Sequence, residues 1–309
     1  MKTFPSLSAV PAVDRPVSLA VGVFDGFHRG HQQVIAEAEA HARRHDGETW
    51  LLTFEPNPVE VLHPERRPPR LMTPTLRRRL AAAHGIDGYI EQPFTLDFAH
   101  LAPEAFVEQL QDRIPTLAAV SVGANWRFGF QARGDANLLQ ELGKKHGFAV
   151  SAAKPVLHEG IPISSTRIRK AILAGDVAAA RTMLGRAYSL DGPVVHGKKA
   201  GRILGFPTAN VAVENEVLPP DGIYAVHASF DGTSLPGAAY RGKSNPGDSP
   251  LYEVHLLDFQ GDLYGRQLEI HFQERQREDR RFSSTEALIE QIRLDVAGIR
   301  ARLSADSSV

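Results

Sequence analysis

The sequence predicts an α/β fold with a doubly wound parallel sheet, followed by a small antiparallel β-barrel capped by one long helix. Three observations carry this. Up to about residue 185, short apolar runs alternate with stretches of helical spacing, as in strand–helix–strand units. From Tyr188 on, the segments are short and β-rich, with turn pairs at Asp191-Gly192, Asp221-Gly222, Asp231-Gly232 and Gly261-Asp262. The 309 residues suit about two domains at roughly 150 residues each. No repeat or long low-complexity linker interrupts them, so the expected division is 1–186 and 187–309, joined tightly near Arg186.

Each element has a local reason. Ser18 to Phe24 is a Val-rich run of strand length. His31 to Arg44 turns to helical spacing, with Val34, Ile35, Ala38 and Ala42 along one side. Trp50 to Phe54 is a strand stopped by Glu55-Pro56-Asn57-Pro58. Thr73-Pro74 is an N-cap with proline at the first helical position, opening a basic helix through Ala83. Its Arg77-Arg78-Arg79 stretch reads as a solvated face. Pro103 opens a helix through Gln111, Leu117 to Gly123 is a strand, Ala136 to His146 a helix and Phe148 to Ala153 a strand. Helices near Thr166 to Leu173 and Val177 to Leu184 follow. In the second part, Tyr252 to Phe259 and Gln267 to Phe272 read as a hairpin around Gly261-Asp262. Ser283 and Glu286 form a capping-box pattern for the closing helix, whose Leu288, Ile292, Val296, Ile299 and Leu303 share one face. Ser304 to Val309 reads as a frayed tail.

Composition narrows the function. Lys plus Arg is 35 against Asp plus Glu 36, a formal net charge of -1. No general attraction to nucleic acid or anionic membrane follows, so neither is an expected partner. The chain has no cysteine, which excludes disulfides, thiol catalysis and sulfur-based zinc sites and suits a reducing cytoplasm. The N-terminal residues lack a basic region followed by an apolar one, so no signal peptide is expected. No apolar run approaches membrane-spanning length. Self-association stays open.

Val21 to His31 follows a strand and opens a helix, where a nucleotide phosphate belongs in an open α/β sheet. Gly26 and Gly30 let the backbone approach a ligand. His28 and His31 are three apart, so on a first helical turn their rings point the same way and can donate to phosphate. A second segment, Ile163-Ser164-Ser165-Thr166-Arg167-Ile168-Arg169, places hydroxyls and two guanidinium groups at a helix start. A third, Gly123 to Gly129, follows a strand and offers Asn125, Trp126 and Arg127 to a planar ligand and its phosphate. Taken singly, these are ordinary helix caps and surface residues. Their shared context favours a phosphate site.

In the β-rich part, Gly197-Lys198-Lys199-Ala200-Gly201 leads to Gly205-Phe206-Pro207-Thr208-Ala209-Asn210. Thr208 and Asn210 lie two apart on an extended segment and face the same way. Two such oxygens suit Mg²⁺, although a tight turn with Pro207 fixing the bend is the better account of these residues taken alone. Glu253, on an apolar strand, is a candidate general base. Gly237 to Ser244 satisfies the Walker A pattern, but Asn245-Pro246-Gly247 after it cannot start a helix, so the match is by chance.

"FDGFHRGH", "TFEPNP", "RFGFQARGD" and "ISSTRIR", in that order, resemble the FMN adenylyltransferase half of bacterial bifunctional riboflavin kinase/FAD synthetases, within the nucleotidyltransferases marked by His-x-Gly-His. "GKKAGRILGFPTANV", "LPPDGIYAV", "EVHLLDFQGDLYG" and "QERQREDRRF" resemble the riboflavin kinase half. The resemblance implies adenylyl transfer from ATP to FMN, with His28 and His31 on the phosphates. It further implies that Ser164, Ser165, Thr166 and Arg167 complete the triphosphate pocket, with Asn125 at the reacting end. The candidate set for this half is Gly22, Phe24, Gly26, His28, Gly30, His31, Asn125, Ser164, Ser165, Thr166, Arg167 and Arg169. For the kinase half, the resemblance implies Mg²⁺–ATP on Thr208 and Asn210 and Glu253 as base toward the riboflavin 5′-hydroxyl. Gly197, Lys198, Gly201, Gly205 and Arg277 join the ATP and flavin site. The chain departs from the family after Gly242, where the usual Pro-Thr-Phe is missing. An enzyme with adenylyltransferase activity alone, its barrel serving as flavin-holding scaffold, is therefore the alternative.

Overall fold

Strand residues that alternate between two apolar faces build the first half. The computed structural model describes residues 1–197, 200–242 and 251–306. Its contacts divide the chain into two units, Met1–Ser165 and Thr166–Val309.

In the first unit the strands are β1 (Lys2–Phe4), β2 (Val17–Val21), β3 (Glu48–Glu55), β4 (Gly88–Pro93), β5 (Leu117–Gly123) and β6 (Ala149–Ala153). They form one parallel sheet in the order β1-β4-β3-β2-β5-β6. The helices between them are α1 (Arg29–Arg44), α2 (Pro58–Leu62), α3 (Pro74–Ala83), α4 (Leu96–Ala99), α5 (Pro103–Arg113) and α6 (Ala136–His146). Leu19, Trp50, Leu52 and Ile90 face Phe106, Leu110 and Leu139 of α5 and α6. Their neighbours Ala20, Leu51 and Tyr89 face Val34, Ile35 and Ala38 of α1 and Leu76 of α3. A period of two on the strands thus meets helices on both faces. The chain runs from β2 outward to β3 and β4, then crosses back to β5 on the other side of β2. The carboxyl ends of β2 and β5 are therefore the topological switch point, the favoured ligand crevice of such sheets.

The sequence missed β1 and β4 as strands. The first of these is only three residues long, and Gly88 opens the second with the weakest strand former. The expected strand through Phe24 ends at Val21 instead. Arg77 lies on the packed side of α3 and is buried, not on a solvated face.

A short hairpin, β7 (Leu157–His158) and β8 (Ile161–Pro162), precedes α7 (Ser165–Leu173). The second unit holds α8 (Val177–Leu184), β9 (Tyr188–Val195), α9 (Ala200–Ile203), β10 (Ala209–Ala212), β11 (Gly222–Phe230), β12 (Thr233–Arg241), β13 (Leu251–Leu256), β14 (Gln267–Glu278) and α10 (Thr285–Asp306). The six strands close into an antiparallel barrel, β10-β13-β12-β11-β14-β9, which leaves no open edge. Tyr188, Tyr224 and Tyr252 are buried around Phe272 inside it. Each hydroxyl finds a backbone carbonyl, of Val217, Pro220 and Pro219 respectively. Ile299 and Leu303 of α10 pack on Ile223, Ala225 and Ala238.

Four readings of the second part change. Asp191-Gly192 lies inside β9 and makes no turn. Glycine stands there because β10 passes so close that a Cβ on Gly192 would run into the Ala212 carbonyl. Strands β13 and β14 do not pair: β10 and β12 flank the former, β11 and β9 the latter. Barrel closure has taken every edge a hairpin would use, and the link 257–266 is far longer than a tight turn. The cap of α10 is Ser284, whose Oγ accepts from Ala287 N–H at 3.2 Å, so the Ser283–Glu286 box does not form. Ser304 to Asp306 stay helical, and 307–309 lie outside the described residues. Gly192→Ala is expected to lower stability by about 1–3 kcal/mol, since backbone must shift to admit the methyl. Urea unfolding followed by far-UV circular dichroism checks this, and an unchanged midpoint contradicts the packing argument.

Candidate functional site

The loop after β2 is built against resistance. Phe24 (φ 54°) and Phe27 (φ 45°) both sit in the left-handed region, as does Gly26 (φ 85°). Non-glycine residues there carry strain of about 1–3 kcal/mol each and persist only where surroundings enforce them. Here both phenyl rings are buried. The backbone is pinned as well. Val23 O accepts from Thr53 Oγ1 at 3.0 Å, and Asp25 O accepts from Ser165 Oγ at 2.8 Å. Leu71 N–H donates to Asp25 Oδ1 at 3.0 Å, and Gln32 Nε2 donates to Phe27 O at 2.9 Å.

This loop delivers the two histidines. His28 is not on the first helical turn, as spacing suggested, but is the N-cap of α1 (φ −75°, ψ 170°). Its Nδ1 accepts from His31 N–H at 3.3 Å. An accepting Nδ1 leaves Nε2 to carry the proton of the neutral ring. The imidazoles stack at 3.6 Å with planes 16° apart, and Phe24 meets His31 edge-on at 5.3 Å. Gly30 lies against the His28 ring, where a Cβ would come within 3.1 Å. Gly22 holds the same kind of position under Phe24, at 3.3 Å. Two ring donors and the positive end of a 16-residue helix thus converge at the end of β2.

Beside it, β5 ends at Gly123 and leaves Asn125 exposed. Trp126 stacks on Phe128 at 4.6 Å. Arg127, expected on a phosphate, donates to Asp135 at 3.1 Å. Ser164 and Ser165 belong to this unit, with Ser165 tied to the loop through Asp25 O. Thr166, Arg167 and Arg169 lie on α7 in the second unit; Thr166 is exposed, Arg167 half-buried and Arg169 buried.

The barrel gathers the other set. On the sheet, Glu253 stands opposite Asn210 on one side and Tyr240 on the other. Thr208 Oγ1 donates to Glu253 Oε2 at 3.3 Å. Gly197 is required here, because a Cβ would collide with the Asn210 amide; at Gly201 a Cβ would strike the Phe206 carbonyl and approach Thr208 Oγ1 to 3.0 Å. Gly205 turns with φ 86°, and the Pro207 carbonyl faces His255 Nδ1 at 2.8 Å. Burial, with Asp279 and Glu253 beside it, pushes the Tyr240 hydroxyl up to about 12, so it stays protonated. A cavity of ≈ 380 Å³ opens here, lined by Arg202, Thr208, Asn210, Phe259 and Tyr264 among others. That is the size of a small-molecule site. Arg277 Nε and Nη2 donate to Asp295 of α10 at 2.7–3.0 Å. Lys198 and Lys243 to Pro250 lie outside the described residues, while Gly237 to Arg241 of the Walker-like segment are plain strand.

Comparison with known proteins distinguishes the two halves. Residues 10–167 match the FAD synthetase family and residues 184–303 the riboflavin kinase family. Over 293 residues the chain is 39% identical to a bifunctional riboflavin kinase/FMN adenylyltransferase of Pseudomonas fluorescens, covering 93% of each. The chain belongs to the bifunctional riboflavin kinase/FMN adenylyltransferase family. An Escherichia coli K12 member is 35% identical over 280 residues, 90% of each chain. A crystal structure described as a macrolide-efflux protein from Streptococcus pneumoniae matches with TM-score 0.88 and 29% identity, over 97% of this chain and 99% of that one.

One neighbour of these motifs had no sequence signal: Tyr240 reaches Glu253 only through strand register. Thr53 and Ser165 stand in quoted motifs, but their grip on main-chain carbonyls of the loop after β2 is visible only in the fold. Strand pairing between distant segments is what brings them in.

Proposed function

We propose that this chain phosphorylates riboflavin to FMN and then transfers the adenylyl group of a second ATP to FMN, giving FAD and pyrophosphate. One observation carries this reading. Each family match contains its own nucleotide-type constellation, His28–His31 at the switch point in one unit and Thr208, Asn210 and Glu253 on the barrel in the other. The riboflavin kinase match over 184–303 favours this over the barrel as mere scaffold. We assign adenylyl transfer to residues 1–186 and riboflavin phosphorylation to residues 187–309.

In adenylyl transfer the FMN phosphate attacks the α-phosphorus of ATP and pyrophosphate leaves. Nothing covalent is asked of the protein. His28 Nε2–H, His31 and the α1 N-terminus stabilise charge on the phosphates, with Ser164 and Ser165 beside them. In the kinase step Glu253 takes the proton from the riboflavin 5′-hydroxyl as that oxygen attacks the γ-phosphorus of ATP, the bond to the bridging oxygen breaks and ADP leaves. Thr208 Oγ1 and Asn210 Oδ1, beside one carboxylate and over a cleared glycine, are hard oxygens that would hold Mg²⁺. Bound there, it would supply positive charge to the phosphoryl oxygens.

Its partners are ATP, riboflavin and FMN, not nucleic acid, in keeping with a net charge of -1. No helix among the described residues is long and apolar enough to cross a membrane. We place the enzyme in the cytoplasm; self-association is a matter for sedimentation. Incubation with riboflavin, ATP and Mg²⁺, followed by separation of the flavins, tests the function. FMN followed by FAD is expected. FAD from supplied FMN only would reduce the chain to an adenylyltransferase, and neither product would overturn the reading.

A further inference from the structure

We infer that Arg77 is a positioning residue of adenylyl transfer, holding the loop that carries His28 while cancelling carboxylate charge beside the phosphate site. The inference rests on the adenylyltransferase reading of the first unit.

Arg77 is an unusual place for an arginine. Its side chain is 7% exposed, on the packed face of α3. Nε donates to Tyr89 Oη at 3.0 Å, and Nη2 donates to Glu55 Oε2 at 2.8 Å and to Glu91 Oε2 at 3.3 Å. Nη1 reaches Val23 O at 3.4 Å, the carbonyl that Thr53 also holds. One planar group thus ties the ends of β3 and β4 to the residue just before the strained Phe24–Phe27 turn. Burial alone pulls this guanidinium down, but Tyr89 and Glu55 more than offset that, and it stays charged. Tyr89 itself is pushed up to about 12 by burial and remains a neutral phenol.

Core packing does not require such a group. A buried ion pair is weak evidence for stability, because desolvation cancels much of the attraction. Its geometry, however, is specific. Only a guanidinium fork can serve Tyr89, Val23, Glu55 and Glu91 together; lysine is a single point charge on a flexible stem. Charge gives Arg77 a second role. Glu55 and Glu91 stand at the same carboxyl edge of the sheet as the loop, and Arg77 shares their neutralisation with Arg70 and Arg78. Unpaired, two carboxylates there would repel a triphosphate.

These two roles separate kinetically. Arg77→Lys keeps the charge and loses the grip on Val23. It is expected to lower kcat for FAD formation from FMN by about 10–100-fold, the scale of a misplaced catalytic group, with KM for ATP near normal. Arg77→Met loses both, so kcat falls and KM for ATP rises. Riboflavin phosphorylation by the same full-length protein is the internal control and should hold near its wild-type rate. Thr53→Val removes the other donor to Val23 O and should lower kcat in the same direction with a smaller effect. It decides the matter if the Arg77 variants do not fold. The inference is overturned if Arg77→Lys and Thr53→Val form FAD at the wild-type kcat. It is equally overturned if Thr53→Val loses both activities in parallel, which is what a purely structural role gives. Wild-type protein that makes no FAD would instead overturn the adenylyltransferase reading itself.

Discussion

Glu253→Gln is expected to remove about 10²–10⁴ of the rate of riboflavin phosphorylation, the usual worth of a general base. Flavin binding should stay close to unchanged. Gln has the shape of Glu and still accepts from Thr208 Oγ1, which sits 3.3 Å from the carboxylate. It cannot take up the hydroxyl proton. The neighbours on either side, Asn210 and Tyr240, come from strand pairing and do not depend on the charge. Wild-type and variant rates must be read together, because the chain lacks the family's Pro-Thr-Phe stretch after Gly242. A brisk wild type with a deep loss shows that stretch to be dispensable. A slow wild type with no further loss removes the base role from Glu253.

What the sequence disclosed follows physical range. Helices announce themselves locally. Thr73 before Pro74 and the Val34, Ile35, Ala38, Ala42 stripe are settled within a few residues, and α3 and α1 appear where those signals put them. The closing helix shows the limit of that precision. Two adjacent serines offered a cap, and only the backbone chose Ser284 over Ser283. Strand partners are settled at long range. Nothing near Tyr252 says that β13 joins β10 and β12 in preference to the next strand along the chain. The sites divide in the same way. Histidines, glycines and hydroxyls at a strand end are legible because their chemistry is short-range. Arg77 was misread because its partners, Glu55, Tyr89 and Glu91, lie on two strands that only the fold brings to it. A triple-arginine run looks solvated until one of its members meets two buried-edge carboxylates.

His28→Ala is expected to lower FAD formation from FMN by about 10²–10³, the loss typical when one donor to a developing charge is removed. Riboflavin phosphorylation should persist, since Glu253, Thr208 and Asn210 lie in the other unit. Two effects are folded into this variant. His28 also caps α1 by accepting from His31 N–H, and it stacks on the His31 ring. Loss of an N-cap costs about 1 kcal/mol of stability, too little to account for a hundredfold drop in a folded enzyme. His28→Ser separates the two. Serine restores a strong N-cap but has no ring and no Nε2–H. The expected result is wild-type thermal stability with the same deep loss of FAD formation. If His28→Ser recovers the rate, the histidine acts through the cap and the helix terminus, and the ring has no direct role on phosphate. If both variants lose the kinase activity as well, the two chemistries are not independent, and the assignment of one site to each half of the chain fails.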